Sequence, residues 1–585
     1  MNRINKTTAA AVLAVLTLMT SVTTSGCGAA GVQPSAQAEV SGSMTAQNAS
    51  DSAADASTAQ TTVTSTQMNT LNDRETLNIA DDKYRTTYEV FLYSYYDSNG
   101  DGIGDIQGLI DKLDYINDGD DTTGTDLGCN EIWLMPVCPS PSYHKYDVTD
   151  YEAIDPQYGT MDDFKELVAQ CHKRGIRIIT DMVMNHTSTE HPWFTKAADY
   201  LKKLPAGEEP SEKDCPYVKY YNFSKKKAEG YTALEGTDWY YEARFWSGMP
   251  DLNLDNPAVQ KEFKDIAAFW LGLGVDGFRM DATTSYYTGK NKENVKALAW
   301  FNDAVKKINP DAYIVGEAWT DQSVYAAYYG SGIDSLFDFA FANSTGIIAN
   351  VVKGSAPASS YATAMAKEQK LYASYNENYV DAPFYTNHDM ARSAGYYAGD
   401  GAQSKVKLAG ALNLLMSGNA FVYYGEELGM KGSGKDENKR APMYWTQNAD
   451  AEGMCDGPKD MVAPKMLYGS YEDQKDDPLS IYQYYREAIR LRNIYPVIAR
   501  GKVTPLDQVS NDQICAFEKT AENMKSVMIV INTSGSPQTV DLSGQKDYDT
   551  LSSVLTTTAE NITLDGNKLT LPAYDIAVLT QGAVE

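Results

Sequence analysis

Histidine is scarce in this 585-residue chain, with five in all, and cysteine numbers only seven. No Cys-x-x-Cys pair or zinc-type cysteine–histidine spacing occurs, which argues against a structural zinc framework. Basic residues are also short: 50 Lys and Arg stand against 78 Asp and Glu, a net charge of −28. Such a surface repels nucleic acid and anionic lipid while favouring solubility, so nucleic acid is excluded as a partner. The apolar stretch from Ala9 to about Val22 is too short for a good membrane span. Aromatic residues are nearly missing between residues 28 and 75, where Ala, Ser, Thr and Gln dominate.

These shortages organise the N-terminus. Arg3 and Lys6 precede the apolar stretch, and TSGC follows it, ending at Cys27. The combination reads as an export signal. Its end resembles a bacterial lipoprotein cleavage site, with Thr24 where that motif usually has leucine, which implies lipidation of Cys27. Residues 1–27 are then a signal peptide and 28–80 a disordered Ser/Thr/Ala-rich tether, because that composition cannot bury enough surface to fold. The remaining cysteines, Cys129, Cys138, Cys171, Cys215, Cys455 and Cys515, are expected as buried free thiols in place of a disulfide framework, with one or two disulfides left open outside the cell.

What the chain has in abundance is apolar runs tipped by a polar residue. Strands are expected at 88–95, 131–137, 176–183, 275–281, 313–318, 334–341, 382–388 and 420–426. Helix-patterned segments ending in glycine, such as MDDFKELVAQCHKRG, lie between them. Eight such repeats predict an α/β fold, a (β/α)8 TIM barrel whose chemistry collects at one rim. After about residue 495, SVMIVINTSG, QTVDLS and NKLTLPAYDIAVLTQ alternate apolar and polar residues between turns, which predicts an antiparallel β-sandwich.

Oxygen donors at alternate positions of DSNGDGIGD, separated by glycines, suit a loop that wraps a hard cation. Asp97, Asn99, Asp101 and Asp105, with the backbone carbonyl of Ile103, form the expected Ca2+ site. It is no EF-hand, since the twelfth position is Gly108 where a bidentate glutamate is required.

Three of the five histidines, His144, His186 and His388, fall at expected strand ends or in the loops after them, alongside acidic residues in matched segments; His172 and His191 do not. Acetal hydrolysis needs one protonated carboxyl to help the leaving oxygen depart and one ionised carboxylate to meet the developing cationic carbon. Forty-one tyrosines offer rings that stack on sugars, although most serve packing.

DMVMNH ending at His186, GFRMDA from Gly277, VGEAW around Glu317 and TNHD ending at Asp389 resemble, in order, the four best-known signatures of the alpha-amylase family, glycoside hydrolase family 13. MPDLN at 249–253 resembles a fifth, and DSNGDGIGDIQGLIDKLDYI its first barrel turn. The resemblance implies Asp281 as nucleophile, Glu317 as general acid/base and Asp389 as transition-state stabiliser in a retaining mechanism. It implies that His144, His186 and His388 bind hydroxyls of the cleaved residue, that Tyr146 stacks on its ring and that Arg279 holds the nucleophile. Asp181 would support the rim. The implied domains are a barrel over 81–186 and 251–495, an inserted domain over 187–250 and a sandwich over 496–585.

Thr284, Ser285 and Tyr286 stand where the family commonly has a Lys-His pair, while Asn185 matches one ligand of the family's second calcium ion, so that second site stays open. MPDLN and the GKDENKRAPMYW loop with Arg440 resemble enzymes between alpha-amylases and oligo-1,6-glucosidases or neopullulanases. The expected activity is endo-hydrolysis of alpha-1,4 bonds in starch or maltodextrin by a monomer anchored on the outer face of a bacterial membrane, or otherwise secreted. An exo-acting alpha-glucosidase or oligo-1,6-glucosidase, a neopullulanase-like enzyme and a 4-alpha-glucanotransferase stay open, as does, more distantly, a non-catalytic glycan-binding surface protein.

Overall fold

The computed structural model describes residues 61–63, 82–120, 124–205 and 207–581. Cys27, the signal peptide and most of the tether lie outside the described residues. Seven parallel strands form one sheet: β1 (Thr86–Val90), β2 (Glu131–Leu134), β3 (Arg177–Met182), β4 (Gly277–Met280), β5 (Tyr313–Gly316), β6 (Ser335–Leu336) and β7 (Ala420–Tyr423). They neighbour one another in the order β6-β5-β4-β3-β2-β1-β7, leaving a gap only between β6 and β7. The expected strand at 382–388 fills that gap as isolated bridges, Phe337 to Ala382 and Phe384 to Phe421. Pro383 has no N–H to give, so this segment cannot sustain a full ladder, yet its carbonyl still accepts from the Phe421 amide at 2.8 Å. The sheet thus closes as a TIM barrel.

Trp133, Phe337, Phe384 and Phe421 pack ring against ring and are 1 % exposed or less. They form part of a packed core in which each large side chain contributes about 1.5–3 kcal/mol by burial. Gly277, which opens the GFRMDA segment, is required by the approach of β5: an added Cβ would lie 1.9 Å from the Tyr313 carbonyl oxygen. The crossover helices follow their end signals. Thr160 makes a capping box with Asp163 at the start of Met161–Lys173, and Asn256 caps Pro257–Gly272.

Between β3 and β4 the chain makes an excursion containing the helix Pro192–Lys203 and a three-stranded antiparallel sheet of Phe223–Ser224, Tyr231–Ala233 and Tyr240–Glu242. Its exit is pinned to its entrance by the bridge His186–Asp251 and to its middle by the bridge Tyr221–Leu252. Beyond the barrel, Lys502–Pro505, Ile514–Thr520, Val527–Asn532, Ile576–Thr580 and Thr550–Leu555 form a five-stranded antiparallel sheet. A second, four-stranded sheet contains Ile562–Asp565, Lys568–Leu571 and Gln538–Asp541. Its remaining strand, Thr61–Val63, comes from within the stretch expected to be a disordered tether, and pairs antiparallel with Ile562–Asp565. Three consecutive β-favouring residues can add to an open edge even inside a low-complexity segment. Six cysteines, Cys129 to Cys515, are free thiols, five of them buried and Cys138 half-buried.

Candidate active site

The polar strand tips converge. Arg279 points from β4 toward three carboxylates and is itself fully buried. Its Nη1 donates to Asp181 at 2.5 Å and to Asp281 at 2.7 Å, while Nη2 makes an ion contact with Glu317 at 3.1 Å. Removing a guanidinium from water is costly, and anionic partners on adjacent strand ends offset that cost. Trp133 adds a donor to Asp181 at 2.8 Å and lies under the Arg279 guanidinium at 5.0 Å. Asp181 therefore fixes the arginine, and the arginine fixes the two carboxylates nearest the cleft.

Backbone contacts lock the tips of β4 and β5 together. Ala282 occupies the left-handed region at φ 47°, uncommon for a residue with a side chain, and its N–H donates to Glu317 Oε2 at 3.0 Å. Thr283 donates its amide and hydroxyl to the Glu317 carbonyl at 2.9 and 2.6 Å. Burial pushes the Glu317 carboxyl up to about 7; Arg279 opposes this, and the charges of Asp281 and Asp389 reinforce it.

Tyr146 is the hub for the remaining expected residues. Its hydroxyl lies 2.9 Å from His388 Nε2 and 3.4 Å from Arg279 Nη1. Its carbonyl meets His186 Nε2 at 3.2 Å, and its amide donates to His144 Nδ1 at 3.2 Å. His388 Nε2 also faces Asp389 Oδ2 at 3.3 Å, and Arg440 donates to Asp389 Oδ1 at 2.7 Å. Asp281, Glu317, Asp389, His144, Tyr146, His186, Arg279, His388 and Arg440 thus form one continuous network. Burial disfavours charge on Asp389, but His388 and Arg440 hold it well below the usual carboxylate range. Burial lowers His186, and takes His144 down to about 4, so both rings are neutral at ordinary pH.

Several contributors were not anticipated from sequence. Glu89, in β1, lies 2.6 Å from His388 Nδ1. An acid inside the apolar run YEVFLYSY was the available signal, since a buried carboxylate demands a partner. Tyr143 accepts from the second nitrogen of Arg440 at 3.0 Å, and Lys439 donates to the Asp389 carbonyl at 2.8 Å. Phe245, Trp246 and Trp319 are 51 %, 53 % and 48 % exposed. Phe245 sits 5.2 Å from the His186 ring, and Trp319 stacks on Phe339 two residues beyond Glu317. The two histidines outside the network have structural partners: His172 pairs with Asp276 at 2.8 Å, and His191 caps the helix Pro192–Lys203.

The DSNGDGIGD loop stands apart from this network. Asp97 accepts from the amides of Asn99, Gly100 and Gly102, Asn99 from Asp101, and Asp101 from Ile103. Asp105 caps the following helix and accepts from Ser98. This succession of Asx turns keeps oxygens at alternate positions of a tight loop, and the all-oxygen donor set suits Ca2+. The Asp456 carboxylate lies against Gly102, adding one more oxygen donor. Among the described residues, three carboxylates whose oxygens lie within 4.8 Å of one another occur elsewhere, at Asp338, Glu368 and Asp381, all buried.

Residues 89–501 match the family model for the alpha-amylase catalytic domain. The chain belongs to the alpha-amylase family. Residues 514–578 match the C-terminal domain model of alpha-amylase SusG. Amy13B of Eubacterium rectale has a solved structure that superposes with a TM-score of 0.84 at 48 % identity, covering 88 % of this chain and 99 % of that one. Alpha-amylase 3 of Dictyoglomus thermophilum is 36 % identical over 499 residues, 84 % of this chain and 92 % of the relative. The trehalose synthase/amylase TreS of Mycobacterium tuberculosis is 31 % identical over 526 residues, 79 % of this chain and 84 % of the relative. As an alpha-amylase family member, the protein is a glycosidase.

Proposed function

We propose that this glycosidase hydrolyses internal alpha-1,4 bonds of starch and maltodextrin with retention of configuration, and that it works outside the cell, held to a bacterial membrane by a lipid on Cys27. The carrying observation is that one buried guanidinium, Arg279, contacts both Asp281 and Glu317, at 2.7 and 3.1 Å. A retaining pair must stand close, about 5 Å apart, and a shared cation on adjacent strand ends favours that spacing.

In this reading Glu317, neutral at mildly acid pH, protonates the departing oxygen while Asp281 attacks the anomeric carbon. Glu317 then takes a proton from the water that releases the sugar from Asp281. Asp389, anchored by Arg440, accepts hydrogen bonds from ring hydroxyls and stabilises the positive transition state. His144, His186 and His388 position hydroxyls around the cleaved residue, and Tyr146 packs on its ring. Asp97, Asn99, Asp101 and Asp105, with the Ile103 carbonyl, would hold Ca2+, which when bound supplies stability and no chemical step.

A polymer-facing anchor and exposed rings at the rim favour endo action, because stacking platforms beyond the cleaved residue bind long chains. The kinship with an enzyme named trehalose synthase/amylase favours transglycosylation as a second reading. Thin-layer chromatography of early products on amylose, pullulan, isomaltose and maltotriose tests both. Mixed maltodextrins from amylose support endo hydrolysis; glucose alone at the earliest times would overturn it, and lengthened products from maltotriose would favour transfer. Labelling cells with a radioactive fatty acid tests the anchor, which an unlabelled wild-type protein would remove.

A further inference from the structure

The mechanism above leaves Glu89 without a role. Its side chain is 1 % exposed, and Oε1 lies 2.6 Å from Nδ1 of His388, whose side chain is equally buried. The other ring nitrogen, Nε2, lies 3.3 Å from Asp389 Oδ2. The imidazole therefore bridges two carboxylates. Ionised carboxylates only accept, so pairing with both Glu89 and Asp389 requires the doubly protonated ring, whereas a neutral ring donating to Glu89 would leave Nε2 to accept from the Tyr146 hydroxyl 2.9 Å away.

We propose that Glu89 is a positioning residue for the glycosidase reaction: it holds His388 as an imidazolium in one orientation, so that the ring pairs with Asp389 and keeps that carboxylate aimed at the sugar. The inference rests on the role given to Asp389 above. The ring has little freedom, being stacked on Tyr146 at 5.6 Å and met edge-on by Trp133 at 5.6 Å. The groups that bear on His388 come from several strand ends: Glu89 from β1, Tyr146 after β2, Asp181 from β3, Glu317 after β5 and Asp389 beside it, with Arg279 of β4 reaching it through the Tyr146 hydroxyl and Glu89. Arg279 opposes a second buried cation here, and Arg440 already shares Asp389. Glu89 is the carboxylate that compensates on the far side of the ring. Burial favours the neutral imidazole, yet Asp389 and Glu89 push His388 up to about 9.

The test uses the full protein with 15N-labelled histidine, whose five residues give few resonances. Wild type should show both His388 nitrogens protonated from about pH 6 to 8. Glu89→Gln keeps the size of the side chain but can donate to a neutral ring, so His388 should titrate at least about two pH units lower. In that variant kcat/KM on maltodextrin should fall about tenfold more at pH 8 than at pH 5.5, chiefly through kcat. Glu89→Asp should restore part of the imidazolium signal. A singly protonated His388 in wild type, or an unchanged titration and a pH-independent loss in Glu89→Gln, overturns the proposal. If Glu89→Gln fails to fold, the wild-type spectrum decides. Full activity in Asp281→Asn would sink the catalytic assignments while leaving the His388 spectrum intact, so the two failures are distinguishable.

Discussion

Arg279 and Asp281, two residues apart in sequence, face each other at 2.7 Å across the tip of β4, with the arginine wholly buried and the aspartate nearly so. Side chains at i and i+2 leave a strand on the same face, so the pair is prearranged by the backbone itself. That fixed geometry, extended by the same guanidinium to Glu317, sets the first expectation.

Asp281→Asn and Glu317→Gln should each lower turnover on maltodextrin by at least about three orders of magnitude, roughly 4 kcal/mol of transition-state stabilisation. Steady-state kinetics, with circular dichroism to confirm folding, check this. Near-normal rates in either variant would refute the roles assigned.

The alkaline limb of the rate profile should fall near pH 7. As the proposed general acid, Glu317 must carry a proton, and burial holds its pKa at about 7, so kcat/KM declines as the pH rises through that value. Replacing Asp389 by Asn removes one of the charges that raise Glu317 and should move the limb of the residual activity downward. A kcat/KM profile flat from about pH 5 to 9 would contradict the assignment.

Calcium should stabilise the fold without entering the reaction. Chelation, or Asp97→Ala, should lower the melting temperature by several degrees, consistent with loss of about 1–3 kcal/mol of binding linkage. Added Ca2+ should rescue the chelated wild type but not the variant. Equal melting temperatures with and without chelator would remove the ion from the DSNGDGIGD loop.

Glu368 offers a separate stability test. Burial, then the charges of Asp338 and Asp381, raise it well above the ordinary glutamate value. The folded chain thus holds a proton that the unfolded chain releases. Its contribution is complete in acid, below the unfolded pKa, and is lost as pH rises through the raised folded value. Glu368→Gln should flatten the decline of melting temperature between about pH 5 and 9 and be the more stable protein, by about 2 °C or more, at the alkaline end. Parallel curves for the two proteins would show that no such proton is held.

Phe245→Ala and Trp319→Ala should raise KM for long maltodextrins several-fold while leaving kcat within about a factor of three, because exposed rings contribute to binding along the chain and not to bond cleavage. Hydrolysis of short maltooligosaccharides should change less. An equal loss on short and long substrates would place these rings at the reacting sugar instead.

Much of the site was readable because its residues sit at fixed offsets from strand ends. Asp281 follows GFRM, Glu317 follows YIVG, and His388 with Asp389 follow the segment that closes the barrel, so a short apolar run announces each one. The seventh barrel segment was misjudged in length because Pro383 interrupts its ladder, leaving bridges where a longer strand was expected. Glu89 passed unnoticed for a different reason. Its partner, His388, lies 299 residues away, so the acid inside YEVFLYSY signals that a partner is needed but not which residue supplies it. The strand Thr61–Val63 escaped because its pairing edge, Ile562–Asp565, lies at the other end of the chain.

Local periodicity and residue type by themselves determined most of the barrel strands, the (β/α)8 repeat and which polar groups stand at strand tips, since these follow from backbone geometry and the need to bury apolar side chains. Only the tertiary structure decided that Tyr146 links three histidines, that one guanidinium serves three carboxylates, and that Glu89 lies behind His388. Those relationships join residues far apart along the chain, and their energies arise from desolvation and charge pairing that exist only once the barrel has closed.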